Sequence, residues 1–395
     1  MRIVCSATMP LAREAFESLG DVVVLDERGI SSRDVKEATI LAIRSTIKVN
    51  RELLEGSSVR FVGTATIGTD HMDLPYLEQA GIPWCYAPGC NAHSVSEYVT
   101  SALLCLAVRR GFDPEGKTIG VVGVGNVGSL VAEKAAALGM NVLRNDPPRE
   151  RLEYGKRSEA GSRRPDSPSP FVSLEEVLER SDVVTLHVPL TKEGADATFH
   201  MADRSFFERM KPGCVFFNCA RGAVLRTDEL RSAMDHGTVS SAVIDTWEGE
   251  PAYRKDLLER VDIGTPHIAG HSFEGKVMGT VMVYRAACRF LGVAPAWSPD
   301  GLWPPPTVPE IRWEADGRGE AAGLWRIVRQ VYDIEEDDRR LRAGNVADEK
   351  QRAQHFDRLR KDYPVRREFR FTRVCLSGAS VRLAKTVAAL GFDVA

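Results

Sequence analysis

Residues 119–128 read Ile119-Gly120-Val121-Val122-Gly123-Val124-Gly125-Asn126-Val127-Gly128, an apolar run that passes directly into a complete GxGxxG pattern. The run 119–122 predicts a β-strand, and the apolar spacing over 127–138 predicts a helix. A GxGxxG turn between a strand and a helix is typical of a dinucleotide-binding unit, whereas an isolated match would carry little weight. This stretch therefore predicts a Rossmann-like βαβ unit.

The residues of this turn have separate tasks in binding a dinucleotide. Gly123 permits the tight turn, Gly125 lets the backbone approach a diphosphate, and Gly128 lets the helix pack closely on the strand. Asn126 and Val127 open the helix, where free N–H groups and the positive end of the helix dipole favour an anion. We therefore expect these five residues to form the cofactor site.

Asp146 lies eighteen residues after Gly128, at the end of the next predicted strand. A carboxylate at this position accepts hydrogen bonds from the adenosine ribose and repels a 2′-phosphate, which favours NAD over NADP. Arg144 and Arg149 flank the carboxylate and would tolerate the extra phosphate, so NADP stays the alternative.

Length, charge and composition narrow the class of protein. A chain of 395 residues is too long for one hydrophobic core and predicts two or three domains. The net charge of −3 and the pI near 6.3 give no electrostatic case for nucleic acid or membrane partners. The N-terminal residues resemble a β-strand more than a signal peptide, and no apolar run is long enough to span a bilayer. We therefore expect a cytoplasmic protein with reduced cysteines.

Strand-like and helix-like segments alternate over residues 1–60 and again over 118–266, which predicts two parallel sheets. Long helices are predicted over 93–109 and 273–291. The expected fold class is α/β, with two Rossmann-like, doubly wound parallel-sheet domains and a small C-terminal α+β domain at 310–395.

Two segments between these elements have compositions that disfavour regular structure. Residues 150–170 are polar and lack apolar periodicity, which predicts a surface loop. Residues 297–309 are rich in proline and predict a linker.

Three polar residues downstream of the fingerprint suggest acid–base chemistry: Arg221, Glu250 and His267. Oxidation of a secondary alcohol leaves a hydroxyl proton for a base, and an imidazole titrates near working pH. Glu250 is placed to hydrogen-bond the far ring nitrogen, and Arg221 offers a planar fork of donors to a carboxylate and the oxygen at C2. Any one of them alone would more often be structural, but their order behind the fingerprint predicts hydride transfer.

Longer motifs extend over nearly the whole chain, at residues 63–71, 87–92, 123–128, 146–148, 245–251, 264–270, 274–276, 331–333 and 356–360. With these motifs the chain resembles the D-isomer-specific 2-hydroxyacid dehydrogenases. It is most similar to the branch that acts on 4-phospho-D-erythronate in pyridoxal 5′-phosphate (vitamin B6) biosynthesis. The resemblance implies NAD-dependent oxidation at C2, with (R)-3-hydroxy-2-oxo-4-phosphooxybutanoate as the product and no metal.

The resemblance also implies roles for individual residues. Arg221 and Glu250 match the active-site pair of the family, and His267 matches its proton-transfer residue. The implied cofactor contacts, besides the glycine-rich turn, are Asp146, Val188, Cys219, Ala220, Arg221, Asp245 and Gly270. The implied substrate contacts are Ser45, Thr66 and His271.

Domain roles follow from the same resemblance. It implies a discontinuous substrate-binding domain, 1–93 and 271–295, and a nucleotide-binding domain, 94–270, with the active site in the cleft between them. Residues 310–395 correspond to a dimerisation domain, so a homodimer is expected.

Two positions depart from the family pattern. His271 stands where a substrate-binding tyrosine is usual, and Val188 stands where a threonine near the cofactor is usual. Arg221, Glu250 and His267 are all present, so we expect a weaker substrate contact rather than a different reaction.

Two alternative functions stay open. The chain would be another D-2-hydroxyacid dehydrogenase, of the phosphoglycerate or 2-oxoacid type, or an NAD(H)-sensing regulatory binding protein. The C-terminal segment argues against the first alternative. The intact Arg221, Glu250 and His267, together with the lack of a basic patch, argue against the second.

Overall fold

The computed structural model describes residues 1–159, 169–315, 317 and 319–395. The chain forms two compact units, of which the first contains residues 1–92 and 271–305 and the second contains residues 93–270 and 306–395. The division into three domains with separate roles stays a prediction.

The first unit begins with short strands and helices in strict alternation. Its strands are β1 (Arg2–Ser6), β2 (Asp21–Leu25), β3 (Ile40–Ile43), β4 (Phe61–Thr64) and β5 (Trp84–Cys85). Its first helices are α1 (Ala12–Phe16), α2 (Ser32–Val35), α3 (Arg51–Leu54) and α4 (Leu74–Gln79), with a 3-10 turn at Glu27–Gly29. The strands form one parallel sheet in the order β2-β1-β3-β4-β5.

The second unit begins with a long helix and continues with a larger parallel sheet. Its helices up to residue 270 are α5 (Ala92–Arg110), α6 (Asn126–Ala137), α7 (Pro147–Glu159), α8 (Leu174–Arg180), α9 (Arg204–Glu208), α10 (Thr227–Asp235) and α11 (Lys255–Leu258). Its strands are β6 (Thr118–Val122), β7 (Asn141–Asn145), β8 (Val183–Leu186), β9 (Cys214–Asn218), β10 (Val239–Ile244) and β11 (Ile263–Gly264), with a 3-10 turn at Gly222–Val224. They pair in parallel in the order β11-β10-β9-β8-β6-β7.

Helix α12 (Phe273–Leu291) returns the chain to the first unit and packs on strand β4. Glycine makes the close approach possible, because a Cβ on Gly63 would lie 2.3 Å from Cγ1 of Val283. On the helix side, a Cβ on Gly279 would lie 2.8 Å from the carbonyl oxygen of Ala65. Backbone packing therefore fixes the segment after β4, where a substrate contact is predicted.

Residues 306–395 add a small parallel sheet and four helices to the second unit within the described residues. The elements are β12 (Glu310–Glu314), α13 (Glu320–Val331), α14 (Ile334–Ala343), α15 (Glu349–Lys361), β13 (Arg373–Ser377), α16 (Val381–Leu390) and β14 (Asp393–Val394), with a 3-10 turn at Phe369–Phe371. The strand order is β12-β13-β14 and all pairs are parallel. Trp325 and Val328 of α13 belong to the same buried cluster as Tyr98 and Leu106 of α5, so this part shares the core of the nucleotide-binding fingerprint.

The two predicted parallel sheets and the third small sheet confirm the expected fold class. The prediction of a loop over 150–170 is wrong for 150–159, because these residues continue helix α7. Pro147 and Pro148 suit a helix start, and the Arg149–Glu153 ion pair one turn apart at 2.9 Å supports the following residues. Residues 160–168 lie outside the described part of the chain. Among the described helices, none is long and apolar enough to cross a membrane.

Candidate active site

The predicted cofactor and catalytic residues of the second unit follow the carboxyl ends of its parallel strands. Gly123 follows β6, Asp146 follows β7, and Val188 comes shortly after β8. Arg221 follows β9, Glu250 follows β10, and His267 follows β11. Carboxyl ends of parallel strands meet at one edge of a sheet, where α/β proteins bind ligands. The order reverses between β6 and β8, so the glycine-rich turn lies at the switch point.

The glycine-rich turn has the shape that a dinucleotide requires. Gly123 has φ of +87°, and a Cβ there would lie 2.7 Å from the carbonyl carbon of His187. A Cβ on Gly128 would lie 1.9 Å from the carbonyl oxygen of Gly123. Gly125 is exposed, and a Cβ on it would have open space within 4 Å among the described residues. The turn thus packs tightly on its protein side and is open where helix α6 begins, which fits a diphosphate.

Asp146 ties the glycine-rich turn to the next strand. Its Oδ2 accepts a hydrogen bond of 2.8 Å from the amide of Val124, and its Oδ1 accepts one of 3.0 Å from the amide of Arg149. The guanidinium of Arg149 donates to the Val124 carbonyl oxygen and to Oγ of Ser129 at 3.0 Å. Arg149, which would tolerate NADP according to the sequence, therefore donates to the glycine-rich turn itself.

His187 and Val188 pass directly behind Gly123. Burial lowers the pKa of His187 to about 3, so the imidazole is neutral at ordinary pH. Its Nε2 lies 2.9 Å from Oγ1 of Thr185. This histidine is a neutral packing group, and Val188, which follows it, has an apolar side chain.

Glu250 and His267 form the pair that the sequence predicted. Oε1 of Glu250 lies 2.5 Å from Nδ1 of His267, and both side chains are partly exposed. Oε2 of Glu250 accepts a hydrogen bond of 3.0 Å from the amide of Trp247. Burial raises the pKa of Glu250, but the charge and hydrogen bond of His267 and the Trp247 amide outweigh it, so the pKa lies below its usual 4.5. The carboxylate is therefore ionised and holds the Nδ1 side of the ring, which leaves Nε2 for chemistry.

The backbone at His267 is held in an uncommon conformation. Its φ is +54°, in the left-handed region that non-glycine residues rarely adopt. Its amide donates to the carbonyl oxygens of Asp245 at 2.8 Å and Thr265 at 3.0 Å. A conformation of this kind costs about 1–3 kcal/mol and persists only where surrounding contacts enforce it.

Asp245 supplies most of those contacts. Oδ1 accepts from Oγ1 of Thr265 at 2.7 Å and from the amide of Ile268 at 2.8 Å, and Oδ2 accepts from the amide of Ala269 at 3.0 Å. Asp245 is 1% exposed. Burial raises its pKa, against the opposing effect of His267 and these hydrogen bonds. The structure thus shows Asp245 as an anchor of the loop 265–269, and its role as a cofactor contact stays a prediction.

Helix α5 holds the same loop from its other side. The hydroxyl of Tyr98 lies 2.7 Å from Oγ1 of Thr265, and the hydroxyl of Ser94 donates to the carbonyl oxygen of Ala269 at 2.7 Å. Sequence reasoning missed both residues, because hydroxyls on an apolar helix resemble ordinary buried side chains.

Arg221 lies in a turn that packs against the segment leading to Glu250. A Cβ on Gly222 would lie 1.9 Å from the carbonyl oxygen of Trp247, so the two segments touch backbone to backbone. Nδ2 of Asn218 donates to the carbonyl oxygens of Arg221 at 3.3 Å and Thr246 at 3.1 Å, which ties them together. Burial and the nearby Asp245 raise the pKa of the Cys219 thiol well above its usual range, so this predicted cofactor contact is uncharged.

The predicted substrate contacts lie in the first unit. Ser45 follows β3 and Thr66 follows β4, while His271 comes just before helix α12. The hydroxyl of Thr66 donates to the carbonyl oxygen of Gly68 at 2.9 Å. Ser45 is exposed, and Thr66 and His271 are half-buried.

A buried carboxylate, missed by sequence reasoning, organises the segment around Ser45. Glu27 is 1% exposed and its Oε1 accepts from the amides of Arg44 at 3.2 Å and Thr46 at 2.8 Å. Its Oε2 accepts from the hydroxyls of Ser6 at 2.7 Å and Thr8 at 2.8 Å. In the sequence, Glu27 stands between charged neighbours in Asp26-Glu27-Arg28, a pattern that indicates a solvated turn.

Metal ligation has no support within the described ranges. No group of three or more His, Cys, Asp or Glu side chains there is arranged to hold an ion.

Two family models match the chain. Residues 105–269 match the NAD-binding domain of the D-isomer specific 2-hydroxyacid dehydrogenases. Residues 302–391 match a domain of unknown function, DUF3410.

The chain is similar over its full length to proteins named erythronate-4-phosphate dehydrogenase. The one from Azotobacter vinelandii is 44% identical over 394 residues, which is 100% of both chains. The one from Cronobacter sakazakii is 43% identical over 371 residues, which is 93% of this chain and 92% of its own. Among solved structures, the TT0316 protein from Thermus thermophilus has a TM-score of 0.61 and 26% identity, covering 75% of this chain and 99% of its own.

Replacing Glu250 by Gln tests the charge of the pair through the pH dependence of stability. The native pKa of Glu250 lies below its usual 4.5, so the ionised carboxylate stabilises the native state above that pH. The contribution is lost as the pH falls through the native pKa. We expect Glu250→Gln to lower the free energy of unfolding by about 1–3 kcal/mol near neutral pH, because a charge-assisted hydrogen bond is weakened.

Urea unfolding at a series of pH values measures this difference. The gap between the wild type and Glu250→Gln should narrow as the pH falls below 4.5. A gap that stays constant into strong acid would show that the charge of the carboxylate adds nothing to the pair.

Proposed function

Because this chain belongs to the erythronate-4-phosphate dehydrogenases, within the D-isomer specific 2-hydroxyacid dehydrogenases, we propose that it oxidises 4-phospho-D-erythronate at C2 with NAD. The observation that carries the proposal is the 2.5 Å contact between Glu250 and His267 at the carboxyl edge of a nucleotide-binding sheet. The product would be (R)-3-hydroxy-2-oxo-4-phosphooxybutanoate, in a step of vitamin B6 biosynthesis.

The cofactor, when bound, accepts a hydride from C2 of the substrate. Gly125, Asn126 and Val127 would hold its diphosphate at the start of helix α6, and Asp146 would face its ribose. The other proposed cofactor contacts are Gly123, Gly128, Val188, Cys219, Ala220, Arg221, Asp245 and Gly270.

His267 acts as the base that takes the proton from the C2 hydroxyl. The Glu250 carboxylate holds Nδ1, so Nε2 is the atom that receives the proton. The imidazolium that forms is stabilised by the same carboxylate. Proton transfer by a placed side chain of this kind contributes about 10²–10⁴-fold to a rate.

Arg221 would bind oxygen atoms of the substrate. Its guanidinium would hold the carboxylate and the C2 oxygen, because the planar fork matches two oxygen acceptors and stabilises negative charge. The turn that carries it is fixed against the Glu250 segment by backbone contact at Gly222.

Residues of the first unit would recognise the rest of the substrate. Ser45, Thr66 and His271 are the proposed contacts, and the amides of the 44–46 segment are ordered by Glu27. His271 keeps a hydrogen-bonding ring where the family usually has tyrosine, so a weakened contact is the expected consequence.

The protein would work as a homodimer in the cytoplasm. None of the eight cysteines, all of which lie in the described part of the chain, forms a disulfide in the structure, which suits a reducing compartment. Light scattering should give twice the chain mass of 43.5 kDa, and a mass of one chain at micromolar concentration would contradict the dimer.

NADH formation across a matched set of substrates tests the function. The set is 4-phospho-D-erythronate, D-erythronate, 3-phosphoglycerate, D-lactate and D-glycerate. We expect kcat/KM for D-erythronate to be lower by about 100-fold or more than for its phosphate ester, since each lost charge-assisted hydrogen bond costs about 1.5–3 kcal/mol.

D-erythronate is the decisive control, because it differs from the proposed substrate only by the phosphate. Equal turnover of the two compounds would overturn the substrate assignment. Absence of turnover with every compound, while NADH still binds, would favour the NAD(H)-sensing binding protein.

A further inference from the structure

We propose that Arg366, in the C-terminal part of the chain, is a positioning residue for the loop that carries His267. The inference rests on the proposed function, because it assigns Arg366 a task in the same proton transfer. It also gives a role to the segment that matches a domain of unknown function.

Arg366 donates hydrogen bonds where the loop 265–269, here called the catalytic loop, meets helix α5. Its Nη2 donates to the carbonyl oxygen of Ala269 at 2.6 Å and to that of Ser94 at 3.2 Å. It also donates to the hydroxyl of Ser94, which itself donates to the Ala269 carbonyl oxygen at 2.7 Å. One guanidinium nitrogen therefore joins three chain segments two residues from His267.

The guanidinium of Arg366 is buried, so its removal from water costs free energy that its contacts must offset. Arg366 is 6% exposed, and its guanidinium lies 4.2 Å from the ring centroid of Tyr332. A cation over an aromatic face and charge-assisted hydrogen bonds to carbonyl oxygens offset the loss of water. Removing the arginine would leave the Ala269 carbonyl oxygen with one donor in place of two.

Glu97, which follows Ser94 on helix α5, is not a simple counter-ion for Arg366. Glu97 is buried and its Oε1 accepts a hydrogen bond of 3.0 Å from the amide of Phe369. Burial and the Glu368 carboxylate raise the pKa of Glu97 to about 8, against the opposing effects of Lys134 and Arg366. The Asp337 carboxyl group and the Tyr363 hydroxyl also act on the guanidinium, which in addition donates to the backbone oxygens of Ala269 and Ser94.

The catalytic loop is thus held both through its amides and through a carbonyl oxygen. Asp245 accepts from the amides of Ile268 and Ala269, and Arg366 donates to the carbonyl oxygen of Ala269. Asp245 fixes two hydrogen-bond donors of the loop, and Arg366 fixes one of its acceptors. Loss of Arg366 would free one side, so the His267 ring would lose its orientation while the loop stays attached.

Kinetics of full-length Arg366→Met and Arg366→Lys test the proposal. We expect Arg366→Met to lower kcat by about 10–100-fold, because a shift of about 1 Å at a reacting group can cost 100-fold. KM for 4-phospho-D-erythronate and the Kd for NADH should change by less than about threefold, since the binding residues stay in place. Arg366→Lys keeps the charge and should recover part of kcat.

Arg352→Met is the matched control. Arg352 is also 6% exposed in the C-terminal part, but its Nη1 donates to the carbonyl oxygens of Val346 and Ala347, both at 2.8 Å, and its Nη2 donates to that of Tyr253 at 3.5 Å, rather than to the loop 265–269. Its kcat should stay within about threefold of the wild type at a comparable loss of stability. Equal kcat values for Arg366→Met and Arg352→Met would overturn the positioning role.

Ser94→Ala decides the matter if Arg366→Met does not fold. It removes the hydroxyl that accepts from Arg366 and donates to the Ala269 carbonyl oxygen. A lowered kcat with unchanged KM therefore supports the positioning role of Arg366, and an unchanged kcat overturns it. A wild type that does not turn over 4-phospho-D-erythronate refutes the proposed function instead, so the two failures are distinguishable.

Discussion

Asp245 accepts three hydrogen bonds from the loop 265–269, and it does so from a position that is 1% exposed. These bonds enforce the left-handed backbone of His267, which sets the direction of its ring. Glu250 then fixes the ring itself through Nδ1. The geometry of the proposed base is therefore set by a buried carboxyl group that accepts hydrogen bonds from two backbone amides and one threonine hydroxyl.

The first unit uses the same device. Glu27 is equally buried and accepts hydrogen bonds from the amides of Arg44 and Thr46. These two residues flank Ser45, a predicted substrate contact. In each unit, a buried carboxyl group orders the loop after a strand, and that loop carries a predicted site residue. Loops of this kind are otherwise the most mobile parts of an α/β protein, so such anchors provide the preorganisation that catalysis requires.

The sequence predicted the parallel sheets and the Glu250–His267 pair because both depend on local patterns. The GxGxxG motif can be recognised from the strand before it and the helix after it. The Glu250–His267 pair can be predicted because the carboxyl ends of two adjacent parallel strands lie at the same edge of the sheet. The anchors could not be predicted, because Glu27, Ser94 and Arg366 resemble ordinary polar residues until tertiary contacts bury them. The helix over 150–159 could not be predicted from apolar periodicity, because it has no apolar stripe and carries an ion pair between Arg149 and Glu153 one turn apart.

The pH–rate profile of Glu250→Gln shows whether the Glu250–His267 pair accepts the substrate proton. The pH at which the oxidation rate reaches half its maximum should fall in this variant, because the imidazolium loses its charged partner. Glu248→Gln is the control. Oε1 of Glu248 lies 2.7 Å from Nε2 of His200, so this variant removes the charge from another glutamate–histidine contact in the same turn. It should leave the profile in place. A Glu250→Gln profile that coincides with that of the wild type would contradict the account.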